Sequence, residues 1–392
     1  MTYCLRQDGL PLRAAGLRTD HVTGATLSCR VFQPAWVSFG HDAATASLYI
    51  DYRLIVFGKR SYYRQMKIKK ILSSARMWDL PWWKENVSNQ VREVLKEEDP
   101  RKLAWKKFKV QTDYDVVCIG GAENLWYTFF LTLFGKKTAV VMGEMFLPEP
   151  AGDFPWKMKR LIRRCLYRKI DRFVVYSTTE RRLWAEYLQY DESRFATILF
   201  ASNILDPNRF PDGLYLPEGE YGFAAGRSGR DYKTFFEAVK EIPCPFVVVS
   251  DKGSVQGLEV PKNVTLYCDI PWTEYLELLK KAAFTVVPLH DWQRSTGQVA
   301  VLEGYALGKP TISTRCIGTT DYVFEGETGF LVAPYQPAAM REAIEKMLSA
   351  DDIRRMMGKN ALEKCQSQFS PQVYLDQYLE VLEEAVASYR QV

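Results

Sequence analysis

The sequence predicts an α/β protein built from two doubly wound domains that face each other across a cleft. Three observations predict it. Short β-branched runs of strand length alternate with helical patterns in both halves of the chain. Most of these runs end at glycine, serine or a capping residue, as a strand does when it turns into a helix. A stretch from 205 to 222, bearing Pro207, Pro211 and Pro217, separates the two series. The 392 residues suit two domains at roughly 100–200 residues each. The boundaries read as 1–210 and 211–370, with a C-terminal helix, 371–392, returning to the first domain.

In the first half, residues 115–120 (DVVCIG), 138–142 (TAVVM) and 173–176 (FVVY) have the length and apolar content of buried parallel strands. After the third, Ser177-Thr178-Thr179-Glu180 reads as a capping box, with Ser177 capping a helix and Glu180 reaching back to the cap amide. Before residue 110 the pattern suggests a strand over 47–57 and a helix over 62–77. In the second half, strands are expected at 221–225, 246–250, 264–268, 284–288 and 311–313. Helices are expected at 234–240, 273–282, about 296–307, 337–348 and 372–389. Gly308 stands where a left-handed C-cap residue belongs, and Pro310 follows where a helix cannot continue.

Composition narrows the class. Hydrophobic residues are 47% and charged residues 25% of the chain, so a wholly disordered protein is excluded. The first residues carry no apolar run, and the longest near-apolar stretch, 125–134, is half of the ~20 residues a spanning helix needs. The eight cysteines are too scattered for a zinc or redox pair, and there are three histidines, so no metal site is expected and the thiols read as reduced and cytoplasmic. Residues 1–200 hold 33 Lys+Arg against 21 Asp+Glu, a charge of +12; residues 201–392 hold 19 against 26, or −7. An anionic partner is therefore expected on the first half only.

Two constellations carry chemistry. Gly226-Arg227-Ser228-Gly229-Arg230-Asp231 follows a strand and precedes a helix. Glycines let backbone approach a ligand, and two guanidiniums suit phosphate oxygens. A surface turn with the arginines paired to Asp231 or Glu237 is the plainer alternative. The second is Arg294-Ser295-Thr296-Gly297-Gln298-Val299, opening a helix that carries Glu303. With Ser295 or Thr296 as cap, the free amides of Gly297, Gln298 and Val299 favour a diphosphate. Glu303 lies roughly 10 Å further along the axis and can accept bonds from a ribose diol. An acid inside VAVLEGYAL is costly to bury without partners, which favours function over packing. His290 lies near Ser295 and reads as a structural cleft residue rather than a base.

With these residues in view, 226–332 resembles the nucleotide-sugar domain of retaining GT-B glycosyltransferases, family 4 in particular. The resemblance rests on Gly226-Arg227, on 302–312 (LEGYALGKPTI), and on Gly318-Thr319-Thr320-Asp321 followed by 325–332 (EGETGFLV). Residues 167–179 also resemble the family's passage out of its first domain. The resemblance implies a GT-B fold of two Rossmann-like domains. It implies that Arg227 and Arg230 stabilise the leaving diphosphate and that Glu303 binds the ribose. Gly226 and Ser228 would lie on the donor, backbone at Cys268, Asp269 and Ile270 would line the base, and Ser295 to Val299 would hold phosphate and sugar. Glu123, Asn124, Gly143 and Glu144 are the acceptor-side candidates. No metal or cofactor is implied beyond the donor, a UDP-sugar first and a GDP-sugar second. The family pattern has glutamate where Ser295 stands, and its second cation comes later than Arg230. A non-catalytic relative, or an epimerase or phosphorylase on the same fold, therefore stays open.

Eight cations lie between Lys157 and Arg172, and six more between Lys59 and Lys70. Met158, Leu161, Ile162, Cys165, Leu166 and Ile170 recur at helical spacing, so a helix packed on its own sheet with a solvated basic face is expected. That face would draw the first domain to an anionic membrane near a lipid-linked or glycan acceptor. No zinc-finger, helix-turn-helix or RNA-binding signature points to nucleic acid.

Overall fold

The computed structural model describes residues 68, 70–73, 87–88, 99–143, 145, 152–202 and 221–391. All of them lie within the unit Tyr62–Val392. The expected strand at 47–57, Glu144 and most of the 205–222 boundary fall outside the described residues.

The first lobe is built on one parallel sheet. Its strands are β1 (Ile71–Ser73), β2 (Val87–Ser88), β3 (Val116–Gly120), β4 (Ala139–Gly143), β5 (Arg172–Val175) and β6 (Phe195–Thr197), in the order β2-β1-β3-β4-β5-β6. Strands β3 and β4 pair from Val116↔Ala139 to Gly120↔Gly143. Both are buried at nearly every position, which is why they read as continuous apolar runs. The helices are α1 (Pro100–Val110), α2 (Asn124–Phe134), α3 (Phe154–Leu166) and α4 (Thr178–Leu188). The helix expected over 62–77 is corrected here. Within that range Ile71–Ser73 is a fully buried strand beside β3, because its apolar residues pair into the parallel sheet.

The second lobe repeats the plan. Here the order is β7 (Tyr221–Ala225), α5 (Tyr232–Val239), β8 (Phe246–Ser250), α6 (Lys252–Val255), β9 (Val264–Cys268), α7 (Trp272–Lys280), β10 (Ala282–Val287), α8 (Gln298–Ala306), β11 (Thr311–Thr314) and β12 (Gly329–Val332). The sheet runs β12-β11-β10-β7-β8-β9, parallel throughout. Its first strand, β7, therefore lies beside its fourth, β10. At that switch point the loops leaving both strands diverge to opposite faces and open a crevice.

Three helices close the chain, α9 (Pro337–Ser349), α10 (Asp351–Gln368) and α11 (Pro371–Arg390), where the sequence suggested two. Helix α10 escaped because its outer face is strongly polar and Gly358 resembles a break. It is held by the buried Met357, Ala361, Leu362 and Cys365. Helix α11 crosses back to the first lobe, where Tyr374, Leu375, Tyr378 and Leu382 join Val116, Cys118, Val141 and Val174 in one core cluster. Cys118 is buried there, and burial pushes its thiol up to about 12. It packs as a small apolar side chain.

Candidate functional site

The glycine-rich loop after β7 is shaped by its own hydrogen bonds. Gly226 adopts φ 123°, and a Cβ there would lie 2.3 Å from Arg230 Nη2, so only glycine lets the guanidinium fold across it. Arg230 Nε donates to Ala225 O (2.8 Å) and Nη1 to Ser228 O (3.0 Å), which anchors two of its three nitrogens. The Gly226 carbonyl accepts from Tyr232 Oη (2.7 Å) and Ser250 Oγ (2.9 Å). Asp231 is not an arginine partner. It caps α5 by accepting from Thr234 N (3.0 Å) and Thr234 Oγ1 (2.6 Å). Burial lowers the Arg230 pKa from its ordinary value, against the opposing pull of Tyr232, Tyr275 and Glu303.

Glu303 is 7% exposed on α8. Tyr275 Oη donates to its Oε2 at 2.5 Å. Burial raises the Glu303 pKa to about 7, more than the Tyr275 bond and the Arg230 charge lower it. Tyr275 stacks on the half-exposed Trp272, with ring centroids 4.8 Å apart. Cys268 ends β9 close by, Asp269 adopts φ 54° with its amide bonded to Ser250 O (2.9 Å), and Ile270 leads into α7. Arg227 is turned differently from Arg230. Its side chain is 40% exposed and lies 3.5 Å from Asp269 and 4.0 Å from Asp251. Pairs so exposed and loose contribute ~1 kcal/mol or less, so a diphosphate could displace them.

The open end of α8 is built by glycine. The N-cap is Gly297 at φ 90°, with no side-chain cap bond, rather than Ser295 or Thr296. Gly297, Gln298 and Val299 then expose amides that have no acceptor within the helix. A Cβ on Gly318 would meet Thr296 O at 2.2 Å and Thr296 N at 2.3 Å, so the Gly-Thr-Thr stretch supports the cap from behind. Thr296 Oγ1 is buried with no hydrogen-bond partner, 3.4 Å from where a Gly229 Cβ would stand. That hydroxyl, between the glycine loop and the helix cap, is free to bond a polar group there. Arg294 stacks on Trp292 (4.3 Å) and reaches Ser228 Oγ (3.4 Å), adding a third cation to the rim. His290 packs between Trp292 and Tyr335, and its amide bonds Gly229 O (2.9 Å), a structural position.

The first lobe contributes a carboxylate that sequence reasoning missed. Ser177 does cap α4, accepting from Glu180 N at 3.0 Å. Glu180, however, does not return to the cap amide. Its Oε2 accepts from Tyr176 N (3.2 Å) and its Oε1 crosses the cleft to accept from Ser295 N (2.8 Å). Burial raises the Glu180 pKa. Beside it, Asp321 accepts from Thr178 N (2.8 Å) and Thr178 Oγ1 (2.7 Å). Tyr322 Oη donates to Tyr176 O (2.8 Å) and accepts from Phe200 N (2.9 Å). No local signal in the sequence links Glu180 to Ser295, 115 positions apart.

The acceptor-side candidates divide. Glu123 forms a buried ion pair with Lys107 at 2.5 Å and also accepts from Gly120 N, so it faces the interior. Asn124 is 4% exposed; its Nδ2 donates to Gly143 O (3.4 Å) and its Oδ1 has no partner. Gly143 ends β4, and a Cβ there would be in van der Waals contact with Tyr176 Oη and Val174 Cβ, both at 3.9 Å.

Two parallel-sheet lobes, each open at a switch point and clasped along one edge, define the GT-B architecture. The chain superposes on Anabaena Alr3699/HepE in complex with UDP with a TM-score of 0.61 at 14% identity, covering 80% of this chain and 99% of that one. Against sucrose-phosphate synthase from Thermosynechococcus elongatus the TM-score is 0.57 at 20% identity, covering 75% and 79%. Residues 248–364, within the second lobe, match the family described as Glycosyl transferases group 1. An uncharacterized glycosyltransferase of Methanocaldococcus jannaschii is 28% identical over 37% of this chain and 44% of its own length. The D-inositol 3-phosphate glycosyltransferase of Corynebacterium glutamicum is 34% identical over 28% of this chain and 25% of its own. In both relatives, the match covers less than half of the relative.

Proposed function

We propose that this chain is a retaining glycosyltransferase of family 4, moving a sugar from a nucleoside diphosphate donor to a glycan or lipid-linked acceptor. The observation that carries the reading is the convergence, at one switch point, of Arg230, Glu303 and the glycine-capped end of α8, with the unpartnered Thr296 hydroxyl between them. In this reading the ribose diol donates to Glu303, and the base lies over the 268–270 turn beside Trp272. The diphosphate meets the Gly297–Val299 amides and the Arg230 Nη2. Arg227 turns in from Asp269 to complete the charge. The acceptor hydroxyl attacks the anomeric carbon from the side of the leaving group. Its oxygen forms the new bond, the bond to the diphosphate breaks, and the hydroxyl proton passes to a leaving phosphate oxygen. No side chain serves as nucleophile. Guanidiniums and the helix end, rather than a metal ion, stabilise the departing charge.

UDP is favoured over GDP, supported by the UDP and UDP-glucose complexes of the Anabaena protein. Thermal melts across UDP, GDP, ADP and their sugars test this, since a ligand that binds only the folded state raises the midpoint. UDP is expected to raise it, and Arg230→Ala and Glu303→Ala to abolish the rise and the transfer. A midpoint that no nucleotide moves would remove the donor site. Transfer of label from UDP-sugar to water or acceptor separates an enzyme from a binding relative.

A further inference from the structure

Helix α3 sits on the first lobe the wrong way round for a soluble helix. Most of its expected apolar stripe does not face the sheet: none of its thirteen residues is buried, and of the stripe only Leu166 packs partly against the core before Ile170 beyond the helix is buried. Phe154 is 73% exposed, Leu161 52% and Ile162 47%. The inversion has a physical cause. Arg160 donates to Tyr187 O (2.6 Å) and Glu186 O (3.1 Å), and Arg163 to Tyr187 Oη (3.0 Å). The guanidiniums thus bind the C-terminal end of α4, where carbonyls lack helical partners, and the apolar side turns outward. Helix α2 lies beside α3 and adds Trp126, Phe129, Leu133 and Phe134 to the same exterior. Of fifteen exposed large apolar side chains among the described residues, nine are on these two helices, which makes a patch rather than a scatter.

We propose that the outer face of α2 and α3 inserts into the headgroup region of an anionic lipid bilayer. Charge decides among partners. No acid occurs from Phe154 to Ile170, and Lys157, Lys159, Arg168 and Lys169 are exposed around the patch. Helix α1 beyond α2 is likewise free of acids. A second copy docking face to face would bring these cations together, whereas an anionic leaflet neutralises them while its acyl region takes the aromatic side chains. The attraction differs from that of a solvated basic face, because apolar insertion survives salt that screens the lysines.

Co-sedimentation of the full chain with phosphatidylcholine vesicles, with and without phosphatidylglycerol, tests it. Binding is expected only with phosphatidylglycerol, and a measurable part should persist at high salt. Leu161→Glu with Ile162→Glu should weaken it by more than about tenfold. Lys157→Gln with Lys159→Gln should weaken it by roughly fivefold per charge. Both variants should keep the wild-type melting point and its response to UDP, since neither touches the cleft. Cys165, exposed on the same helix, reports the contact: vesicles should slow its alkylation in the wild type but not in the double glutamate variant. Absence of binding at low salt would overturn the proposal. So would equal binding by the glutamate variant, a Cys165 already protected without lipid, or a wild-type dimer that the glutamates dissolve.

Discussion

Glu303→Gln should stabilise the protein while weakening its hold on nucleotide. The folded state raises this carboxyl from its ordinary 4.5 to about 7, with burial as the largest cause. A raised folded value means the fold holds the proton more tightly than the unfolded chain does. Stability from this group is therefore fullest below the unfolded value and declines as pH rises toward the folded one. The gap from 4.5 to about 7 corresponds to about 3 kcal/mol at roughly 1.36 kcal/mol per pH unit. Glutamine removes the penalty and can still accept from Tyr275 Oη. At about pH 8 the variant should gain close to the full ~3 kcal/mol, and at about pH 5 only ~1 kcal/mol. In a lobe of this size, each kcal/mol moves the melting midpoint by roughly 2–4 °C. The same change replaces a charged acceptor of the ribose hydroxyls, worth ~1.5–3 kcal/mol, so UDP should bind about 10–100-fold more weakly. Melting scans at both pH values, with and without UDP, read everything at once. A midpoint that falls at both pH values, or an unchanged UDP affinity, would refute the assignment of Glu303 as a buried acid kept for ligand.

Other outcomes follow from contacts already described. Glu123→Ala leaves Lys107 buried without its counter-charge and should cost ~3–5 kcal/mol in urea unfolding, while Lys107→Met with Glu123→Leu recovers most of it. Gly318→Ala places a methyl against the Thr296 backbone and should abolish UDP binding by calorimetry while the circular dichroism spectrum stays native. Asp321→Ala removes both bonds to the start of α4 and should loosen the lobes, seen as a larger radius of gyration in X-ray scattering and ~1–2 kcal/mol of lost stability.

What the sequence by itself determined follows from local physics. Strands β3, β4, β7, β8 and β10 are buried on both faces, so their apolar runs are continuous and legible. The Gly226–Arg230 loop and the Glu303 helix were legible because glycine spacing and an acid in an apolar helix are costly unless used. What only the tertiary structure decided depends on pairs far apart in the chain. Tyr275 meets Glu303 from another helix, and Glu180 meets Ser295 from the other lobe. Glu123 looked free at a strand end until Lys107 closed on it from α1. Helix α3 showed its periodicity plainly, but periodicity gives only the angle between faces, not which face turns inward. The end of α4 settled that, its carbonyls binding Arg160 and its Tyr187 hydroxyl binding Arg163, and so left most of the apolar stripe outside.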